Sequence, residues 1–456
     1  MSKRDPPTSH RPARATNATI VLILAAAFAI RLWSLSIVDP PRLIGDEVDH
    51  FHGALQFAES EPVTVLPKRP PFYIWFAGSV IAIAGETPFH IRLAQVLIDC
   101  LTTLGVFVLC RQIFRHSQSA DRTSVFAMGM YAIYPEFIAY SHYLWTETVF
   151  LCTLVFGFIA LLKLYSEAMA RTAVLAGLVW GISALLKPYQ VYIFPCLLTC
   201  NVLCSDHRGK YRQAQLAILA MAIAATTVFP ACCGHAKGWV LISSQGERTL
   251  ESGTNYYPPP QFDFSYSRSF PESVKRKIGR KESIIAFLAG NPSLAFNRSL
   301  LKIGDFFAPN SYLIRHLYMG YYGDPLAMKR DVRLAIVITC MTSIIGFLLF
   351  GVLGFTAEFP ALSELRSTVP GKLFFWHAVV YSILTILMVI LAVSMSRYRL
   401  PLMVFCVVFT ARWAAMIRLR PIAKRSGVQW GSLAIGFGVT LGAAFFRSST
   451  ILQAAW

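Results

Sequence analysis

The apolar residues of this chain fall in long unbroken runs, not in the spaced stripes of water-facing helices. The runs cover roughly residues 19–36, 91–110, 123–140, 148–165, 172–186, 188–204, 213–231, 333–355, 373–395, 400–417 and 429–446. Most approach the ~20 residues that an α-helix needs to cross the hydrocarbon core of a bilayer. The pattern therefore predicts an all-α polytopic membrane protein with about eleven transmembrane helices. The segment Pro71–Gly85 is shorter, opens with Pro-Pro and reads as either an extra span or an interfacial helix. Between residues 232 and 331 the runs stop, and the stretches Ser283–Leu288 and Pro292–Phe307 carry helical apolar spacing instead. No internal repeat or low-complexity tract interrupts the chain.

Composition agrees with this class. Of 456 residues, 55% are apolar and 14% charged. Soluble domains hold about a quarter charged residues, and with so few the chain cannot cover a water-facing surface. The formal net charge of +18 would suggest nucleic acid in a soluble protein. Here Lys and Arg cluster in short loops between runs, the pattern that sets membrane orientation, so no nucleic-acid partner is expected. If Pro71–Gly85 does not cross, Arg111–Arg122, Glu167–Arg171, His207–Arg212, Phe355–Lys372 and Arg418–Arg425 all share the cytoplasmic side with the basic N-terminus. The positive-inside bias favours that arrangement, with Pro71–Gly85 on the outer surface and the C-terminus outside. The first run lacks a small-residue cleavage site and reads as a retained span. The expected organisation is a basic cytoplasmic tail (1–18), an N-terminal bundle (19–231) with a first outer loop (38–90), a soluble extracytoplasmic insert (232–331), C-terminal transmembrane helices (332–446) and a tail (447–456). Most of the ten cysteines lie inside apolar runs and give neither a disulfide framework nor metal-ligand spacing.

This topology gathers the suggestive polar residues on one face. Asp46-Glu47 follows the first span, where adjacent carboxylates are costly unless water, substrate or a cation meets them. Lys68-Arg69, the turn from His142 to Glu147, Lys187-Pro188 and Arg397-Tyr398-Arg399 join it. Carboxylate plus cations suits a reaction with an acidic leaving group. Cations neutralise a phosphate, Arg bidentately, and a carboxylate takes the proton of an attacking hydroxyl. A phosphate donor that stays in the bilayer is most simply a polyprenyl phosphate. Plainer readings stand beside this one. Asp46-Glu47 also suits the start of a surface helix, the less favoured of the two readings. Lys68, Arg69, Arg397 and Arg399 equally suit headgroup anchors, and Lys187 a turn at headgroup level. His50, one turn after Asp46, reads as a solvated histidine in preference to a ligand. Arg92 and Asp99 share one face of a span and read as contacts to neighbouring helices.

The ordered set Gly45-Asp46-Glu47, Lys68-Arg69-Pro70-Pro71-Phe72-Tyr73-Ile74-Trp75, Leu144-Trp145-Thr146-Glu147-Thr148-Val149-Phe150 and Arg397-Tyr398-Arg399-Leu400-Pro401 resembles the GT-C membrane glycosyltransferases. It is most similar to the protein O-mannosyltransferase and lipid A aminoarabinose transferase branch, resembling families 39 and 83. The resemblance runs over most of the membrane region and is weak over 232–331. It implies a GT-C helical bundle with juxtamembrane helices in the first outer loop. The implied activity is inverting sugar transfer from a polyprenyl-phosphate donor to a glycan, lipid or protein acceptor. The implied location is the outer face of a bacterial inner membrane. Asp46 matches the family's catalytic base, with Glu47 and Glu147 as further acids. Lys68, Arg69, Tyr73, His142, Lys187, Arg397, Tyr398 and Arg399 are the substrate-binding candidates. Asp49, His50, His52 and Glu136 depart from the family pattern. No metal site is assigned; a divalent metal is admitted but not indicated, and the lipid-phosphate sugar is a co-substrate. A transporter or flippase of a lipid-linked or anionic substrate is the rival class. Transporters often carry two related halves with polar groups at the midplane, and neither appears in this sequence.

Overall fold

The computed structural model describes residues 14–38, 42–204, 209–226, 290–307, 312–322, 335–351, 369–391 and 396–417, apart from single positions 67, 118, 168, 291, 319, 347, 349 and 350. Among these residues the regular structure is all helix, with no strand. In chain order the helices are α1 (Arg14–Ser36), α2 (Asp46–Ala58), α3 (Pro71–Ala84), α4 (Pro88–Ile113), α5 (Ala120–Ile133), α6 (Pro135–Tyr140), α7 (Glu147–Glu167), α8 (Ala170–Leu186), α9 (Gln190–Cys204) and α10 (Lys210–Thr226). They continue with α11 (Pro292–Phe307), α12 (Tyr312–Tyr318), α13 (Ala335–Gly346), α14 (Val369–Leu391), a 3₁₀ turn (Ser396–Arg399) and α15 (Leu400–Ile417). The expected span 429–446, the loop Arg418–Arg425 and the insert residues 232–289 lie outside the described residues.

Five of the described helices are long and apolar enough to cross a membrane: Asn17–Ser36, Pro88–Ile113, Glu147–Glu167, Pro370–Leu391 and Arg397–Ala415. Pro71–Ala84, Ala170–Leu186, Gln190–Cys204 and Ala335–Gly346 are apolar but shorter. One expected run is corrected. Residues 123–140 are not one helix, because Pro135 has no N–H and holds Tyr134 extended (φ −68°, ψ 120°), which ends α5 and starts α6.

The first outer loop folds into a pair of short helices. Gly45 enters α2 at φ +61°, a region open to glycine at little cost. Asp46, Glu47 and Asp49 then occupy the first turn, where acids meet the positive end of the helix. Pro71 begins α3, where its missing N–H costs nothing. The two helices approach closely over Gly78. A Cβ there would sit 2.5 Å from Phe57 Cδ1 and 2.8 Å from the Ala54 carbonyl. The same device joins α8 to α10, with Gly177 against the Ala217 backbone.

The described part of the insert is packed against the bundle. Lys302 of α11 donates to the Ile390 carbonyl of α14 at 2.9 Å, and Phe306, Ile314 and Tyr321 are buried.

The α2–α3 contact gives a stability test. Gly78→Ala should cost about 1–3 kcal/mol through overpacking. Gly129→Ala, whose Cβ would meet nothing nearer than Ile23 Cδ1 at 4.0 Å, should be neutral or gain up to about 1 kcal/mol from helix propensity. Thermal unfolding in detergent checks this; equal shifts would show that the contact does not limit stability.

Candidate active site

The site is assembled around an irregular segment, Ser141–Thr146, that separates α6 from α7 and is wholly buried. Buried backbone polar groups need partners, and here side chains from other elements supply them. Gln95 of α4 donates to the Ser141 and Tyr143 carbonyls at 3.1 and 2.8 Å. Arg92, one turn earlier, donates through Nε to the His142 carbonyl at 3.1 Å. The segment is thereby fixed, and Glu147 at its end starts α7 in a defined position.

Opposite lies Asp46, at the first turn of α2. Its Oδ1 receives Arg69 Nη2 at 2.6 Å and its Oδ2 receives Arg397 Nη1 at 2.9 Å. Asp49 Oδ2 binds Lys68 Nζ at 2.6 Å and Arg69 Nη2 at 2.7 Å. Glu147 Oε1 accepts from Lys187 Nζ at 2.7 Å, with Arg397 Nε 3.8 Å away. The cluster joins four cations, Lys68, Arg69, Lys187 and Arg397, to three carboxylates, Asp46, Asp49 and Glu147. It is one charge positive. Around it stands an aromatic wall: the Arg397 guanidinium lies 5.2 Å from the Trp145 ring, 5.9 Å from Tyr312 and 5.7 Å from Tyr398.

Burial raises the proton affinity of Asp46, but Arg397 and Arg69 outweigh it and hold the carboxyl well below the usual carboxylate range. Asp49 is also lowered, by Lys68 and Arg69 against a burial cost. Burial acts on His50 first and Arg69 second, and its pKa falls to about 4. His50 is therefore neutral at pH 7. It is 4% exposed, which corrects the expectation of a solvated histidine.

The structure brings Asp46, Lys68, Arg69, Glu147, Lys187 and Arg397 together, with Tyr398 beside Lys187 at 5.9 Å. It puts the other candidates in surrounding layers. Glu47 is fully buried and turned away from Asp46, accepting from the Ile44 and Leu144 amides and Tyr321. Burial raises its pKa. Tyr73 donates to Gln95 Oε1 at 2.7 Å. His142 contacts the Arg31 carbonyl through Nε2 at 3.1 Å. Arg399 is committed to Glu136, Nη2 to Oε1 2.7 Å, with both side chains buried. Of the two arginines expected at the cluster only Arg397 reaches it; Arg399, two residues on in the 3₁₀ turn, points elsewhere. Arg92 and Asp99 hold neighbouring segments as expected, Asp99 pairing with Arg31 of α1. Sequence reasoning missed three partners: Asp49, Tyr312 and Tyr321. Asp49 was legible from its i+3 spacing to Asp46; the two tyrosines belong to a region with no motif. Among the described residues, no three His, Cys, Asp or Glu side chains converge as metal ligands.

Two outcomes follow. Lys187→Met leaves the buried Glu147 without its hydrogen-bonded cation and should cost about 3–5 kcal/mol. Adding Glu147→Gln should restore much of this in thermal unfolding; a double variant as unstable as the single would contradict the pairing. Asp46 has a lower pKa folded than unfolded, so its stabilisation is full above the unfolded value of about 3.9. It is lost as pH falls through the folded value. The stability gap between wild type and Asp46→Asn should stay constant from pH 8 to 5 and shrink below pH 4; a gap already closing at pH 6 would show that the arginines do not hold Asp46 ionised.

Comparisons with known proteins follow the same lines. Residues 68–233 match the family model described as dolichyl-phosphate-mannose-protein mannosyltransferase. No curated protein sequence matches the chain. Among solved structures, the oligosaccharyltransferase of Archaeoglobus fulgidus, in complex with zinc and sulfate, aligns with a TM-score of 0.51 at 14% identity. The alignment covers 95% of this chain and 52% of that one. ArnT of Cupriavidus metallidurans bound to undecaprenyl phosphate aligns with a TM-score of 0.49 at 16% identity, over 95% of this chain and 65% of that one. The chain thus spans between half and two thirds of the length of these structures. The chain shares its fold with the Archaeoglobus fulgidus oligosaccharyltransferase, and residues 68–233 resemble the mannosyltransferase family model.

Proposed function

We propose that the protein is a membrane glycosyltransferase that moves a sugar from a polyprenyl-phosphate donor to an acceptor on the extracytoplasmic face, with inversion. The observation that carries the reading is the Asp46 carboxylate held between Arg69 and Arg397 in a cluster one charge positive. A phosphate is the dianion or monoanion that such a cluster, open to both guanidiniums, accepts best. The family model over residues 68–233 supports glycosyl transfer.

In this reading Arg69 and Arg397 turn from Asp46 to the donor phosphate, with Lys68 and Lys187 at its edges. Loss of the two arginines from its carboxylate makes Asp46 a stronger base. Asp46 then takes the proton of the acceptor nucleophile as the nucleophile bonds to the anomeric carbon. The bond from that carbon to the phosphate oxygen breaks, and the polyprenyl phosphate leaves with its new charge on the arginines. Stabilisation of charge that develops in the transition state is commonly the largest catalytic contribution. Glu147 orients Lys187 and Arg397.

The test is turnover of a purified polyprenyl-phosphate sugar by the protein in lipid nanodiscs. Asp46→Asn should lower turnover by about 10²–10⁴-fold. Arg397→Lys should lower it by about 10²–10³-fold, whereas Arg111→Lys, in a surface pair with Asp121, should leave it unchanged. No consumption of any polyprenyl-phosphate sugar by wild type, or near-normal turnover of Asp46→Asn, would overturn the assignment.

A further inference from the structure

The two halves of the charged cluster come from separate elements: α2 carries Asp46, and α7, which follows the irregular segment Ser141–Thr146, starts at Glu147. Direct contact between the halves runs only through Arg397 among the described residues. A second connection lies behind the cluster, at the backbone of one residue, Leu144. The amide of Leu144 donates to Glu47 Oε1 at 2.8 Å, and its carbonyl oxygen lies 2.7 Å from His50 Nδ1. Glu47 and His50 stand three residues apart on α2, so they lie on one face and grip both polar edges of the same residue. Both are buried, Glu47 fully and His50 to all but 4%. The Tyr321 hydroxyl, from beyond α12, lies 3.0 Å from Glu47 Oε1 and 2.9 Å from the His142 carbonyl and shares its proton between them. Arg92 stands 4.0 Å from Glu47 and keeps a positive charge beside the carboxylate.

We propose that Glu47 and His50 are positioning residues: by bracketing Leu144 they set the distance between Asp46 and the Glu147–Lys187 pair, and neither touches the reacting atoms. Because Nδ1 faces a carbonyl oxygen, it must carry the proton, which leaves Nε2 as an acceptor. Nε2 is buried and has no hydrogen-bond partner among the described residues. A rival role for His50, as a base working through Nε2, is thus chemically open and is separated by the choice of variant. Asn presents its amide nitrogen where His has Nδ1, and Gln presents its amide where His has Nε2.

The proposal rests on the transferase reading for its kinetic readout, so a second readout independent of activity accompanies it. In nanodiscs, amide hydrogen exchange over residues 141–147 is measured for wild type, His50→Asn, His50→Gln and Glu47→Ala. His50→Asn should keep wild-type protection, while His50→Gln and Glu47→Ala should each lose it by about tenfold or more. Turnover should follow the same order. His50→Asn should stay within about threefold of wild type. His50→Gln and Glu47→Ala should lose about 10²-fold, the size expected for a misplacement near 1 Å. Affinity for polyprenyl phosphate should be unchanged in all three. Because both variants release the same peptide, Glu47→Ala with His50→Gln should cost less than the product of the single losses. Lost turnover in His50→Asn with His50→Gln active would assign the role to Nε2 and overturn the proposal. Unchanged exchange protection in His50→Gln and Glu47→Ala would overturn it too, whatever reaction the protein catalyses. Inactive wild type with the expected exchange pattern would remove only the transferase reading.

Discussion

Everything at the site depends on one carboxylate held by two guanidiniums. Asp46 binds Arg69 and Arg397, which come from the start of the chain and from a position 351 residues away. Charges at a membrane boundary are tolerated when paired, and the attraction between them is stronger where water is scarce. The pairing therefore fixes three elements at once: α2, the approach to α3, and the 3₁₀ turn before α15. The cluster is also one charge positive, so its own pairs do not satisfy it. In the proposed reaction the donor phosphate would take the place of one carboxylate on guanidiniums already in position.

Around this cluster the fold spends its polar side chains on backbone. Ser141–Thr146 is irregular and buried, an arrangement allowed only if its amides and carbonyls find partners. Gln95, Arg92, His50, Glu47 and Tyr321 supply them. A helix through this stretch would satisfy its own backbone but would carry Glu147 past the cluster. The break at Pro135 and the irregular segment after α6 together bring α7 to start at Glu147.

Much of this was legible in the sequence because hydrocarbon imposes a coarse code. Run length located most of the described apolar helices, though not the break at Pro135, and loop charge gathered Asp46, Lys68, Arg69, Glu147, Lys187 and Arg397 on one expected face. What the code could not express was direction. Arg397 and Arg399 look alike in sequence, yet one meets Asp46 and the other Glu136, since side-chain direction in a 3₁₀ turn depends on where the next helix packs. Glu47 looks like a second acid of a pair, but successive residues on a helix point about 100° apart, and its neighbour's role does not pass to it. Tyr312 and Tyr321 were invisible because aromatic residues in a segment without apolar runs carry no period to read.

In the proposed reaction substrate binding and base strength depend on the same two arginines, so Asp46 and a lipid phosphate would compete for them. The most direct measurement is the affinity of wild type and Asp46→Asn for polyprenyl phosphate, by calorimetry in nanodiscs at pH 7. Removing the carboxylate releases both guanidiniums from Asp46, with Arg69 still on Asp49 and Arg397 still near Glu147, and leaves the cluster two charges positive instead of one. Asp46→Asn should bind the lipid phosphate more tightly than wild type, by on the order of tenfold or about 1.4 kcal/mol. Weaker binding by Asp46→Asn would mean that Asp46 helps to hold the lipid instead of competing with it, and would contradict the account.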